Sequence, residues 1–291
     1  MKSALSGKVA IITGANQGFG LALAKEFVEQ GASIALCARD GDLLEKVGSE
    51  LMQIVGENQK MLALVADVSK ANEVDALVHQ VIQQLGRIDI LINNAGVYGP
   101  MGALEDVEWQ NWVQAIEINL FGSILLCRAV LPYFKEQRAG KIIQLSGGGA
   151  TNPMPCLSAY AVSKAGIVRF VETLAEEVRE FGIDVNAIAP GALNTRLLEE
   201  VLQAGPEKVG EGFYQKSLQQ KESGGASLEI GVGLAVFLGS NASDGITGKL
   251  ISALWDNWSE WPKHLEELQQ SDVYALRRIT GRDRGMEWGD K

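Results

Sequence analysis

The sequence predicts an α/β protein built around a doubly wound sheet of parallel strands. Two periodicities and one turn lead to that reading. Short apolar, β-branched runs recur at Val9–Thr13, Ser33–Ala38, Met61–Ala66, Ile88–Asn93, Lys141–Leu145, Asp184–Ala189 and Lys249–Ala253. Several are almost continuously hydrophobic, as strands covered by helices on both faces are. Amphipathic stretches lie between them, among them Leu21–Gln30, Ala71–Leu85 and Ala165–Phe181. Strands alternating with helices imply right-handed crossovers between parallel strands, with helices on both sides of the sheet. The third observation is the glycine-rich link between the first strand and the first helix.

That link reads Thr13-Gly14-Ala15-Asn16-Gln17-Gly18-Phe19-Gly20. Glycines let the backbone turn tightly and let a pyrophosphate approach the helix N-terminus, where free N–H groups and the helix dipole favour anions. Gly14, Asn16, Gln17, Gly18, Phe19 and Gly20 are therefore candidate dinucleotide-binding residues. The spacing differs by one residue from the usual fingerprint, and a tight turn without a ligand is the competing reading. A carboxylate that would bind the adenosine ribose normally ends the second strand. Here the order is Cys37-Ala38-Arg39-Asp40. Arg39 has the planar charge suited to a 2′-phosphate, so NADP(H) is favoured over NAD(H). Against this, Asp40 could face the ribose or neutralise Arg39, and Arg39 could be a solvated residue at a helix start.

Farther along, Tyr160 and Lys164 stand four residues apart at the opening of a long helical pattern, and so share one helix face. A tyrosine titrates near about 10 in water and is a poor base at neutral pH. A nearby ammonium favours the phenolate, but a shift of about three units needs about 4 kcal/mol, so help from a positive nicotinamide is expected. Such a hydroxyl protonates a nascent alkoxide or deprotonates an alcohol. Taken alone, this spacing is more often a surface pair.

The bulk numbers narrow the field less. The chain has 291 residues, 46% hydrophobic and 21% charged, which suits a sizeable core. A net charge of −10 argues against a nucleic-acid partner without excluding a small anionic cofactor. The Met1–Gly7 segment is too short and polar for a signal peptide, and no apolar run reads as a membrane span, so a cytoplasmic protein with no membrane partner is expected. Cys37, Cys127 and Cys156 are too scattered for a disulfide framework or a metal cluster, and no metal is expected.

One dinucleotide-binding domain is read over residues 1–253, followed by a tryptophan-rich extension at 254–291. Trp255, Trp258 and Trp261 recur every three residues there, ahead of Pro262 and a charged helical stretch. Packing on the core or on a second subunit is favoured over a lid or aromatic wall for a substrate. The Asn194–Ser227 region is expected to fold over the substrate, and Leu197, Leu198, Val201 and Leu202 predict an amphipathic helix there, its apolar face packed on the core in preference to walling the pocket. Arg277, Arg278, Arg282 and Arg284 are read as solvated or intersubunit charges rather than as an anion site.

The glycine turn and the Tyr–Lys pair occur together with Asn93-Asn94-Ala95-Gly96 after one strand and Pro190-Gly191 after another. This ordered set resembles the compact branch of the short-chain dehydrogenase/reductase family, over about Leu5 to Gly248. The resemblance implies a single-domain Rossmann-type sheet of seven parallel strands, an NAD or NADP cofactor, a small carbonyl or alcohol substrate, and a homodimer or homotetramer. It implies that Gly14 through Gly20 wrap the pyrophosphate and that Asp67 and Val68 hold the adenine. Asn94, Ala95 and Gly96 would line the cofactor cleft, with stabilisation of the central sheet as the competing role for Asn94. Pro190, Gly191, Leu193 and Thr195 would position the nicotinamide carboxamide. Tyr160 resembles the general acid/base, and Lys164 both tunes it and binds the nicotinamide ribose. Asn119 resembles the helix asparagine that holds a relay water, against a plain helix-kink role.

Two departures stand out. The family's substrate-holding serine lies thirteen places before the tyrosine, where this chain has Gly147; Ser146 is one place earlier. An insertion within Gly147–Thr151 would restore Ser146 to the role, whereas an unshifted strand would point it the other way. Without that donor, one hydrogen bond to the developing oxyanion would be missing. The second departure is the C-terminal continuation into Leu254-Trp255. The favoured function is a reductase or dehydrogenase transferring hydride between NADP(H), or NAD(H), and a carbonyl or secondary alcohol, with Tyr160 as general acid/base. A non-catalytic dinucleotide sensor or partner subunit is one alternative, and an epimerase or dehydratase using transient oxidation is another, disfavoured by the glycine spacing.

Overall fold

Val9–Thr13 forms β1 and is buried at every position, because its residues alternate between two helix layers. Ala10 and Ile12 meet Leu23, Phe27, Leu234 and Leu238 on one side. Val9 and Ile11 share the other core with Val74, Val78, Leu126, Val130, Val168 and Val171. Burial on both faces explains why these strands lack polar alternation. The computed structural model describes residues 3–288.

The remaining strands are β2 (Ser33–Ala38), β3 (Met61–Val65), β4 (Ile90–Asn93), β5 (Gly140–Leu145), β6 (Ile183–Ala189) and β7 (Leu250–Ser252). They form one parallel sheet of seven strands in the order β3-β2-β1-β4-β5-β6-β7. The predicted runs fall on these strands, and the largest boundary change is at β4, which begins at Ile90 rather than Ile88.

One helix layer contains α1 (Gly18–Glu29), α2 (Gly41–Leu51) and, later in the chain, the glycine-containing Leu228–Gly239 helix. The other contains α3 (Ala71–Leu85), α4 (Trp109–Ile116), α5 (Gly122–Gln137) and α6 (Ser158–Val178). Three further helices, α7 (Arg196–Ala204), α8 (Pro206–Val209) and α9 (Glu211–Ser223), follow β6, and α10 is the Leu228–Gly239 helix. Leu198 and Val201 are the buried face of α7, as the apolar spacing predicts.

Between α4 and α5 the helix widens into a π turn over Glu117–Phe121. With that turn it runs continuously over Trp109–Gln137 and is long and apolar enough, by length and composition alone, to cross a membrane. This corrects the expectation that no such stretch exists. The charges and Pro132 that break the sequence pattern do not break the helix, and 44% of its most apolar window is buried inside the protein.

The C-terminal extension packs back on the sheet. Trp261 and Leu268 belong to the same core as β1 and α1. Trp258 lies on Phe237 with ring centroids 5.2 Å apart, and Trp261 lies on Tyr274 at 4.4 Å. Along the outer edge of β7, Leu250 N–H donates to Tyr274 O at 2.8 Å, and Lys249 Nζ donates to Ser271 O and Val273 O at 3.1 and 3.0 Å. The extension thus covers an edge strand that would otherwise present unpaired backbone groups. Arg277 is exposed and paired with Asp272 and Asp283 at 3.3 and 3.0 Å.

Candidate active site

β1 and β4 are adjacent, yet their crossovers leave in opposite directions, which opens a crevice beyond their carboxyl ends. Thr13 ends β1 and ties the two loops together. Its Oγ1 accepts from Asn94 N–H and Ala95 N–H, both at 3.0 Å. Asn94 Nδ2 donates to Thr13 O at 2.9 Å and Gly14 O at 3.1 Å. The Asn94 amide donors are therefore used on the backbone, which is the sheet-stabilising role. Thr13 was missed as a site residue because it reads simply as the last strand residue.

The glycine turn is built for close backbone approach. Gly14 and Gly18 hold left-handed φ values of 62° and 54°. A Cβ on Gly20 would lie 2.1 Å from Gly14 O. The N-terminus of α1 carries no side-chain cap, leaving its first N–H groups for an anion. Gly14, Asn16, Gln17, Gly18, Phe19 and Gly20 line one continuous cleft of about 1140 Å³.

Arg39, Asp67, Val68, Asn94, Ala95 and Gly96 line the same cleft, as do Pro190, Gly191, Leu193 and Thr195. Arg39 is exposed at the end of β2 and makes no ion pair with any described residue. Asp40 turns away to cap α2, its Oδ1 accepting from Leu43 N–H at 3.0 Å. Asp67 Oδ1 accepts from Ser69 N–H and Ser69 Oγ at 2.9 and 2.8 Å, which fixes the loop after β3. Gln220 Nε2, on α9, donates to Leu193 O at 3.1 Å and holds the α7–α9 segment against the cleft. These features fit a dinucleotide, with a cradle for its pyrophosphate and a free guanidinium at the ribose end.

The Tyr–Lys pair faces the middle of the cleft from the first turns of α6. Tyr160 and Lys164 are 8% and 5% exposed. Lys164 Nζ donates to Leu145 O at 2.7 Å and lies 5.6 Å from the Tyr160 ring centroid. Burial lowers the Lys164 ammonium to about 8. Burial, with the neighbouring Tyr98 phenol, pushes Tyr160 above the usual phenol range. By itself, then, the protein keeps Tyr160 a neutral hydroxyl. Bringing it toward neutral pH would require a further positive charge beside the phenol.

Asn119 sits in the π turn and is almost fully buried. Its Oδ1 accepts from Val97 N–H and its Nδ2 donates to Val97 O, both at 2.8 Å, with a further bond from Nδ2 to Ser163 Oγ at 3.0 Å. Ser163 Oγ donates in turn to Tyr160 O at 2.7 Å. The asparagine thus links the loop after β4 to the start of α6 at a helix irregularity of the kind found at functional sites.

At the end of β5 the strand register continues without a shift, since Ser146 N–H still donates to Ile188 O at 2.9 Å. Ser146 lines the cleft, but strand alternation carries its side chain to the α5 side with Ile142 and Gln144, and its buried Oγ has no hydrogen-bond partner among the described residues. The Cβ direction at Gly147 is the one aimed at Tyr160; a Cβ there would lie 2.3 Å from the phenol oxygen. Tyr98, missed in the sequence because it lies outside every motif, stands edge-on to Tyr160 with ring centroids 4.6 Å apart.

Residues 8–205 match the family model described as short chain dehydrogenase. The chain belongs to this short-chain dehydrogenase/reductase family and is an NAD(P)-dependent oxidoreductase. It is 32% identical over 242 residues to the L-fucose dehydrogenase of Oryctolagus cuniculus, covering 82% of this chain and 81% of that one. Among solved structures it resembles an NAD+-bound xylitol dehydrogenase, with TM-score 0.77 and 29% identity over 85% of this chain and 98% of the other. A gluconate 5-dehydrogenase from Burkholderia cenocepacia J2315, in complex with NADP and tartrate, gives TM-score 0.75 and 26% identity, covering 86% and 95%.

Proposed function

We propose that this chain is an NADP(H)-linked reductase or dehydrogenase acting on a carbonyl or secondary alcohol, with Tyr160 as general acid/base. The observation that carries this reading is the convergence of Tyr160 and Lys164 on a cleft that also contains the glycine turn and Arg39, which no described residue pairs. Lys164 binds the nicotinamide ribose and keeps positive charge beside the phenol. Arg39 meets the 2′-phosphate. Gly14 through Gly20 hold the pyrophosphate, Asp67 and Val68 the adenine, and Pro190, Gly191, Leu193 and Thr195 the carboxamide.

When bound, the reduced cofactor supplies a hydride to the carbonyl carbon. The chain's own task is to hold the carbonyl in place, exclude water and deliver a proton from Tyr160 Oη to the oxygen. The helices α7 and α9 fold over this region and place Leu198, Val201 and Phe213 along an apolar wall. Exposed Trp109, Phe121 and Val162 along α4–α6 support assembly into the dimer or tetramer that the family resemblance implies.

The test is Tyr160→Phe assayed with NADPH against cyclic, aryl and hydroxy ketones. The expected result is a fall in kcat of about 100-fold or more, with the NADPH dissociation constant nearly unchanged. Turnover at the parental rate overturns the assignment.

A further inference from the structure

An alkoxide forming in a buried site needs more than the acid that finally protonates it. Catalysis gains most when a second fixed donor is already aimed at the oxygen. The end of β5 does not supply one. Ser146 Oγ lies on the α5 side and Gly147 has no side chain, while a Cβ there would meet Tyr160 Oη at 2.3 Å. The phenol itself fills that space.

The loop after β4 offers a hydroxyl instead. We infer that Tyr98 is the second hydroxyl at the reacting centre, donating a hydrogen bond to the substrate oxygen beside Tyr160. This rests on the function proposed above. Tyr98 lines the cleft, and its ring stands edge-on to Tyr160 with a 62° interplanar angle. Neither phenol oxygen hydrogen-bonds to a described residue, so both hydroxyls remain available to a ligand. The backbone that carries Tyr98 is fixed from below. Asn119 grips the preceding peptide through Val97 N–H and Val97 O, and Gly99 turns the chain with φ at 75°, against Ala115.

The chemistry of Tyr98 suits a donor rather than a base. Burial first, and the Glu200 carboxylate on α7 second, raise its phenol, so it keeps its proton at neutral pH. In the reducing direction, hydride adds to the carbonyl carbon, the C=O π pair moves to oxygen, and Tyr160 gives that oxygen its proton. Tyr98 keeps its own proton throughout. The products are the alcohol, oxidised cofactor and a tyrosinate that is reprotonated from solvent.

The inference is tested on the full chain with NADPH and the ketone panel, comparing the parent with Tyr98→Phe, Tyr98→His and Tyr160→Phe. Tyr98→Phe keeps the ring contact and removes the hydroxyl. It is expected to lower kcat by about 100-fold, with the NADPH dissociation constant and melting temperature close to the parent. Tyr98→His restores a ring donor and is expected to recover part of the loss. A loss in Tyr98→His with Tyr98→Phe at the parental rate would assign the residue to packing and overturn the inference. Parental turnover in Tyr98→Phe beside an inactive Tyr160→Phe overturns this inference alone. Parental turnover in Tyr160→Phe, or no ketone reduced by the parent, overturns the proposed function and this inference with it.

Discussion

Asn119 holds both polar groups of the Val97 backbone at once, accepting from its N–H and donating to its carbonyl at 2.8 Å each. Few side chains match a peptide this way, and an amide does so only when the backbone is extended and close. The π turn over Glu117–Phe121 brings it there. Together with its bond to Ser163 Oγ on α6, this contact joins the loop that carries Tyr98 to the helix that carries Tyr160, so one residue serves both stability and the geometry of the cleft.

Asn119→Ala leaves Val97 N–H and O without these partners in a buried setting. The expected cost is about 2–4 kcal/mol of folding stability, read by denaturant melts. Cofactor-dependent turnover should fall as well, because the Tyr98 loop loses its anchor. A melt indistinguishable from the parent would show that water replaces the amide.

Arg39 is an exposed cation at the end of β2 with no ion-pair partner among the described residues, while Asp40 is engaged in capping α2. Arg39→Ser should weaken NADP+ binding by about 10- to 100-fold, the value of one or two charge-assisted hydrogen bonds. Binding of NAD+ should change little. Calorimetric titration with both cofactors decides the preference, and equal losses for the two would assign Arg39 to the surface.

Lys164 carries a pH signature. Burial depresses its folded-state value to about 8, below the unfolded value near about 10.4. Below the folded value both states carry the proton, so the full penalty for a buried ammonium is present at neutral pH. Between about 8 and about 10.4 the unfolded chain binds more protons, and stability contributed by this group rises with pH. Lys164→Met, measured without cofactor, should therefore be more stable than the parent at pH 7 by roughly 1–3 kcal/mol. That advantage should shrink as pH rises through this window. A constant difference across it would place the ammonium in contact with water.

The tryptophan-rich extension is a part of the core rather than an appendage. Trp261 is 5% exposed, packed with the α1 core and with Tyr274. Trp261→Ala should cost about 3–5 kcal/mol in a chemical denaturation curve. Trp255, at 85% exposure, should be silent in the same measurement.

The sequence by itself determined the layered α/β sheet, because strands buried on both faces announce themselves as unbroken apolar runs and β1 and β2 begin and end where those runs do. The glycine turn and the Tyr160–Lys164 pair were legible too, since each is local: a turn between neighbours, or two residues one helical turn apart. What spans distant segments was decided only by the tertiary structure. The register of β5 sent Ser146 to the α5 side and aimed Gly147 at Tyr160, and the π turn put Asn119 against Val97. The chain order of Tyr98 and Tyr160 gives no sign that their rings meet. The extension's fold along β7 depends equally on an edge that exists only once the sheet is assembled. Local patterns fix which groups are present, whereas packing fixes which of them face each other.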